Sequence, residues 1–294
     1  MHPDAVKQVR RFNRLVTQRV GALDDHYLSR ARPLGESRLL WEIGERGADV
    51  RDLRGRLGLD SGYLSRMLRS LERAGLVSVE PEVADRRVRT ARLTQSGLAE
   101  RRVIDRASDE LAERMLDPLR ERQRERLVAA MGDVERLLTA AMVEIAVTDP
   151  EHPHARHCLH EYAVELDRRF SDGFDPGDST LPDPAKLRPP EGLLLVATLH
   201  GEPVGCGALR MYGDEATDIK RMWVAERARG LGLGRRLLAE LEARVETPVV
   251  RLETNRALTE AIAMYRAAGY AEVPAFNAER YGDHWFEKRL SART

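Results

Sequence analysis

The chain has 294 residues, 33% of them charged, with 48 Lys and Arg balanced by 48 Asp and Glu. That length suits two domains, each large enough to bury its own core. No apolar run approaches membrane-spanning length, the first twenty residues lack an apolar secretory segment, and two cysteines, Cys158 and Cys206, are too few for a disulfide framework; the expectation is a cytoplasmic protein with no membrane partner.

The balanced charge hides an uneven distribution. Residues 1–141 hold 28 Lys and Arg against 23 Asp and Glu, and residues 142–294 hold 20 against 25. A basic half joined to an acidic half points to two tasks, with the basic half suited to polyanions. In chain order, residues 4–30 read as a long amphipathic helix. A short helix follows with Val50, Leu53 and Leu57 inward, then a turn at Gly58-Leu59-Asp60. The next helix carries Leu64, Met67, Leu68 and Leu71 at i, i+3, i+4 and i+7. Asp60 or Ser61 can cap it and Gly75 can end it. Two short strands, about 76–80 and 88–93, flank a polar tip, and residues 97–142 return to helix, divided near Pro118. This is a helix–turn–helix with a β-wing.

The outward face of the second helix offers Ser61, Tyr63, Ser65, Arg66 and Arg69, types that bond base edges and phosphates. The wing tip supplies Arg86, Arg87 and Arg89, on a slim hairpin that suits a minor groove. The competing reading is a small helical bundle with a solvated arginine face. The order of capped helix, glycine stop and basic hairpin argues against it. The stretch "LRGRLGLDSGYLSRMLRSLERAGLVSVE", the wing "ADRRVRTARLT" and the following "SGLAE" resemble the MarR family of winged-helix regulators. The resemblance covers roughly residues 4–142. It implies a homodimer formed by the terminal helices on a pseudo-palindromic double-stranded DNA operator. The family's wing motif Asp-x-Arg falls on Asp85 and Arg87; the Ser or Thr that often follows the wing arginine is Val88 here.

The acidic half reads as strand 143–147, helix 154–170, and a loop over 171–191 rich in Asp, Gly and Pro. Then come two strands joined by a short turn and a third, "IKRMWV". A helix over about 233–245, strand 249–254, helix 258–269 and strands near 270–274 and 284–290 complete the order βαβββαβαββ, an α+β domain. Between the third of these strands and its helix lies "RGLGLGRRLL", residues 229–238. Glycines crowded there let backbone N–H groups approach a phosphate. A triphosphate-binding loop would need Lys-Ser/Thr after the last glycine, and a dinucleotide site would need a third glycine where Arg235 or Leu237 stands.

The spacing that remains, Arg-x-x-Gly-x-Gly as Arg229, Gly232 and Gly234, resembles the signature of the GNAT acyltransferase superfamily, which binds the pyrophosphate of acetyl-CoA. "VGCGAL", "NRALTEAIAMYRAAGY" and "HWFEKRL" extend the resemblance over about 143–290. It implies an acetyl-CoA co-substrate cradled by residues Gly230, Leu231, Gly232, Leu233, Gly234 and Arg235 with the charge of Arg229. It also implies pantetheine along Met222, Trp223 and Val224, and Tyr265 as donor to the leaving thiolate. Tyr265 equally suits a core position on "AIAMY". Asp218, Glu215 and Glu253 are candidate bases on the acceptor side, and Asn255 or Thr259 stands where the family often bonds its cofactor. The histidines of "HPHARHCLH" read as polar surface or pocket residues, and no metal is assigned. Cys206 has no acid–His partner pattern and is not read as a nucleophile.

Together these readings predict residues 1–142 as a mainly α winged-helix domain for DNA binding and dimerisation. Residues 143–294 are predicted as an α+β acetyltransferase domain that acetylates a small amine. In the alternative, the second domain only senses acyl-CoA or an amine ligand, without turnover. Phe276, Tyr281 and His284 are candidates for the acceptor pocket.

Overall fold

The computed structural model describes residues 3–22, 28, 32–81, 89–178, 183–212 and 216–290. The chain divides into two compact units, residues 1–131 and 132–294.

In the first unit, helices α1 (Pro3–Arg19) and α2 (Leu34–Ile43) precede a two-residue strand β1 (Ala48–Asp49), helices α3 (Val50–Leu57) and α4 (Ser61–Arg73), strands β2 (Val77–Pro81) and β3 (Arg89–Leu93), and helix α5 (Gln95–Leu116). Helix α6 (Glu121–Ala141) runs out of this unit into the second. The three strands form an antiparallel sheet in the order β1-β3-β2. The helix expected over residues 4–30 stops at Arg19, because Gly21 takes a left-handed turn (φ 68°) that ends it.

Local chemistry sets the rest of this unit. Asp49 caps α3 by accepting from the N–H groups of Arg51 and Asp52, and Asp60 caps α4 by accepting from Tyr63 N at 2.9 Å. Helix α4 buries Leu64, Met67, Leu68 and Leu71, none more than 6% exposed. Each such side chain contributes about 1.5–3 kcal/mol on burial. Thr94 ties the end of β3 to α5: its Oγ1 donates to Gly75 O at 2.7 Å and accepts from Gly97 N at 3.1 Å. Gly97 must be glycine, since a Cβ there would lie 2.0 Å from Leu76 O.

The second unit runs β4 (Glu144–Val147), α7 (Pro153–Arg169), β5 (Gly192–Leu199), β6 (Glu202–Met211), β7 (Thr217–Val224), α8 (Leu233–Glu242), β8 (Val249–Thr254), α9 (Thr259–Ala267), β9 (Ala271–Val273) and β10 (His284–Arg289). That is the order expected. The strands form one sheet in the order β4-β5-β6-β7-β8-β10-β9, antiparallel except for β7 and β8. The buried residues of β5 and β6 meet Leu233, Leu237, Leu238 and Leu241 of α8 and Ala155 and Cys158 of α7 in one core.

Two irregularities shape the middle of this sheet. The parallel strands pair only at Thr217–Val250 and Asp218–Arg251, so the rest of β7 runs without a partner on that side. The register between β6 and β7 also shifts, with Cys206 opposite Trp223 but Ala208 opposite Lys220. This is a β-bulge on β7. At it, Arg221 adopts φ 56°, a conformation uncommon for a side chain of its size.

Candidate active site

Beyond Asp218 the separating strands leave a gap, and two cavities meet in it. The larger, about 590 Å³, lies among the end of β7, the start of α8, α7 and α9. The smaller, about 80 Å³, reaches Glu253 and Asn255 at the end of β8, and Glu279 and Tyr281 in the loop between β9 and β10. Tyr162, Leu166, Met222, Leu258, Ala261 and Tyr265 line both.

The glycine-rich loop forms one wall of the larger cleft. Gly230 (φ 81°) and Gly232 (φ 73°) are left-handed, a conformation that costs other residues roughly 1–2 kcal/mol. Gly232 is the N-cap of α8 and brings no capping side chain. The first intrahelical bond is Arg236 N to Gly232 O at 3.1 Å, so the N–H groups of Leu233, Gly234 and Arg235 have no acceptor within the helix. A Cβ built on Gly230 would meet nothing within 4 Å. The result is a bare, positively polarised helix start beside Arg229 and Arg235, which suits a diphosphate. Met222, Trp223 and Val224 continue the wall, whereas Leu231 packs against the core.

Helix α7 closes the opposite side. Glu165 accepts from Arg229 Nη2 at 2.6 and 2.7 Å, from Trp223 Nε1 at 2.9 Å and from Arg169 Nη1 at 3.4 Å. Arg169 in turn donates to Ala257 O at 2.7 Å and Glu260 at 2.8 Å, which ties α7 to the start of α9. Tyr265 is 5% exposed at the junction of the cavities, and burial raises its phenol above the usual range. The Tyr162 hydroxyl, also at the junction, is pushed up to about 12 by burial.

The acid candidates separate. Glu253 lines the smaller cavity, ion-paired with Lys220 and accepting from Asn277 Nδ2 at 3.2 Å. Asp218 lines neither cavity. It is 2% exposed and pairs with Arg251 at 3.2 Å and Lys220 at 3.8 Å. Burial raises its carboxyl pKa, opposed by Lys220 and Arg251. Glu215 lies outside the described residues. Asn255 faces the smaller cavity, donating to Tyr281 O at 2.9 Å. Thr259 opens α9 on the exposed surface, bonded to Glu260.

Tyr281 lines the smaller cavity, but Phe276 stacks under Arg251 at 4.4 Å and His284 bonds Glu272 at 2.6 Å. Their places are taken by Phe170 and Phe174. Sequence reasoning also missed Tyr162, Glu165 and Arg169. Their i, i+3, i+7 spacing on one face of α7, mixing a ring, a carboxylate and a guanidinium with Leu166, was the available signal. Both thiols are buried and turned to backbone, Cys158 to Gly205 O at 3.5 Å and Cys206 to Arg221 O at 3.2 Å. Among the described residues no three His, Cys, Asp or Glu side chains are grouped as a metal ion needs. Among the same residues no helix is long and apolar enough to cross a membrane.

In the first unit, Ser61, Tyr63, Arg66 and Arg69 stand exposed on α4, with Ser65 half-buried among them. Arg66 stacks on the Tyr63 ring at 5.7 Å. Ser61 and Ser65 share a shallow groove with Arg51 and Arg54 of α3 and with Arg89. Asp85, Arg86 and Arg87 lie outside the described residues.

Comparison with known proteins follows the same division. The acetyltransferase (GNAT) family model matches residues 141–270, and the MarR family model matches residues 29–88. An IAA acetyltransferase of Azospirillum brasilense is 36% identical over 120 residues, 38% of this chain and 76% of that protein. A solved GNAT-family acetyltransferase from Staphylococcus aureus aligns over 51% of this chain and 99% of its own, with 18% identity and a TM-score of 0.44. A mutant MarR of Escherichia coli, solved with operator DNA, aligns over 45% and 95%, with 22% identity and a TM-score of 0.39. With that curated relative matched over three quarters of its length, the chain belongs to the GNAT acetyltransferase family, and ahead of the transferase domain residues 29–88 match the MarR family model.

Proposed function

We propose that the chain couples two activities: residues 1–142 bind an operator in double-stranded DNA as a homodimer, and residues 143–294 transfer an acetyl group from acetyl-CoA to a small amine. The observation that carries the enzymatic reading is the meeting of two cavities at Tyr265, one of them walled by the glycine cradle of α8. The reading of a dimer is supported by α1 and α6, which bury no residue and leave Val9, Leu15, Leu137 and Leu138 more than half exposed.

When bound, acetyl-CoA supplies an activated acyl thioester. The chain's share is to hold it and to manage two protons. The first-turn N–H groups of α8, with Arg229 and Arg235, hold the diphosphate. The unpaired edge of β7 from Met222 to Val224 holds the pantetheine arm and offers N–H donors where negative charge develops on oxygen. Glu253, across the smaller cavity, accepts the proton of the acceptor amine through water. Tyr265, protonated at neutral pH as any tyrosine is and held so further by burial, gives its proton to the departing sulfur.

The test is a thiol-release assay of the purified protein with acetyl-CoA over a panel of amines, repeated with Tyr265→Phe. Amine-dependent thiol release that falls at least tenfold in the variant supports the reading. Saturable acetyl-CoA binding without release for any amine would leave the domain a sensor. On the DNA side, operator selection from random duplex DNA should recover a palindrome.

A further inference from the structure

Two tyrosines line both cavities, and a proton donor to the departing sulfur accounts for one of them. Tyr265 stands on α9, where Ala263, Met264 and Ala267 line the larger cleft alone, and its ring packs on Tyr270 and Phe286 in the core. Tyr162 stands on α7, and its ring meets Phe174, a residue of the smaller cavity alone, edge-on at 5.9 Å. Tyr265 therefore sits on the side of the glycine cradle, and Tyr162 on the side of the smaller cavity.

Helix α7 holds Tyr162 from both directions. One turn before it, Cys158 is fully buried, with its Sγ donating to Gly205 O of β6 at 3.5 Å. One turn after it, Leu166 is buried and Glu165 accepts from Arg229 and Trp223. Two turns on, Arg169 donates to Ala257 O ahead of α9. A side chain placed this firmly needs little reorganisation to act on a bound group. Packing does not account for its hydroxyl, since the ring alone would fill the same place against the core. The hydroxyl has no hydrogen-bond partner among the described residues, and it is open to the cavities that the residue lines. A polar group drawn partly out of water without a protein partner is unfavourable unless a ligand or water meets it. Like any tyrosine it is protonated at neutral pH, and burial pushes it up to about 12 against the opposing charge of Arg221, whose guanidinium lies over the ring at 5.3 Å. It is therefore a neutral donor.

Two atoms gain negative charge in an acyl transfer from a thioester, the sulfur and the acyl oxygen. Tyr265 serves the sulfur. The oxygen has two lone pairs, and the free edge of β7 at Met222, which also lines both cavities, offers an N–H to one of them. We infer that Tyr162 is a further catalytic residue: its hydroxyl donates a hydrogen bond to the acyl oxygen, and that bond strengthens as charge gathers there. Tyr162 keeps its proton throughout, so Tyr265 remains the proton donor. This rests on the acetyl-transfer reading above and deepens that same site.

The experiment reads that bond by infrared spectroscopy of acetyl-CoA, carrying a heavy carbon at the acyl carbonyl, bound to the full chain with no amine present. The carbonyl band should lie at lower frequency in the wild type than in Tyr162→Phe, and Tyr265→Phe should leave it in place. Free CoA, which has no acyl oxygen, should bind Tyr162→Phe within twofold of the wild type. A thermal melt should show Tm unchanged or raised, since the ring stays and only an unpartnered hydroxyl is removed. With any amine that the protein acetylates, Tyr162→Phe should lower kcat at least roughly tenfold and leave KM for the amine within twofold, because one of two donors to the oxygen is gone. The infrared measurement needs no turnover, so the two readings fail separately. A band that moves in Tyr162→Phe without thiol release for any amine would sustain the hydrogen bond and remove the enzymatic reading. A band that Tyr162→Phe does not move, a band that moves with Tyr265→Phe instead, or a loss confined to KM for the amine would overturn the inference. No binding of acetyl-CoA at all would overturn both.

Discussion

Replacing Gly232 with alanine tests the cradle at its most exacting position. Gly232 has φ 73° and ψ 9°, and a Cβ there would come no closer than 4.0 Å to any neighbour, the Arg235 Nη2. The folded-state cost is therefore backbone strain alone, about 1–2 kcal/mol. The lower entropy of the unfolded alanine chain offsets about 0.4–1 kcal/mol of it. For a unit of this size about 1 kcal/mol lowers Tm by roughly 2–4 °C, so a fall of a few degrees is expected. The binding effect should be larger. If the loop relaxes toward negative φ, the N–H groups of the first turn of α8 turn away from the diphosphate. Losing one charge-assisted bond, worth about 1.5–3 kcal/mol, raises the CoA Kd roughly 10- to 100-fold. Gly234→Ala is the control: its backbone is helical, and its Cβ would meet the flexible Met264 Sδ at 3.2 Å, so Tm should barely move. The assays are a thermal melt and isothermal titration of CoA. Equal Tm shifts in both variants would refute the strain argument. A lowered Tm with an unchanged CoA Kd would place the phosphates elsewhere.

Other expectations follow from the same geometry. Tyr265→Phe should lower kcat about 100-fold with KM little changed, the scale of a lost proton donor. Because its pKa is raised, the protonated phenol persists to higher pH than in an exposed tyrosine; a fall in wild-type kcat between about pH 8 and 9 that vanished in Tyr265→Phe would contradict this. Glu165→Gln releases Arg229 from a pair whose side chains are 43% and 14% exposed, so after solvent screening about 0.5–1 kcal/mol becomes available to the cofactor. CoA should bind two- to fivefold tighter, and a weaker Kd would show that Glu165 positions Arg229 instead of restraining it. Arg87→Ala should weaken operator binding and reduce the slope of log affinity against log salt by about one; if both stayed unchanged, the wing would have no part in the interface.

Where function depends on local patterns, the sequence was readable. The i, i+3, i+4, i+7 run of α4 and its acidic cap Asp60 act within a few residues, so their spacing survives as text. The Arg-x-x-Gly-x-Gly loop is likewise local: left-handed glycines ahead of an uncapped helix need nothing distant to expose their N–H groups. By itself the sequence therefore determined the two domain classes and one wall of the cleft. The other wall was decided by tertiary structure. Glu165 reaches Arg229 across 64 positions, and Lys220 reaches Glu253 across 33. That second pairing sets Glu253 in the smaller cavity, while Asp218 is absorbed by Arg251 below the point where β7 and β8 part. Nor does any residue type announce that β7 bulges at Arg221, because a bulge arises from the register between two strands. Spacing along the chain governs what neighbours within a helix turn can do. Which charges meet across a cavity is fixed only when the strands separate and α7 packs over the gap.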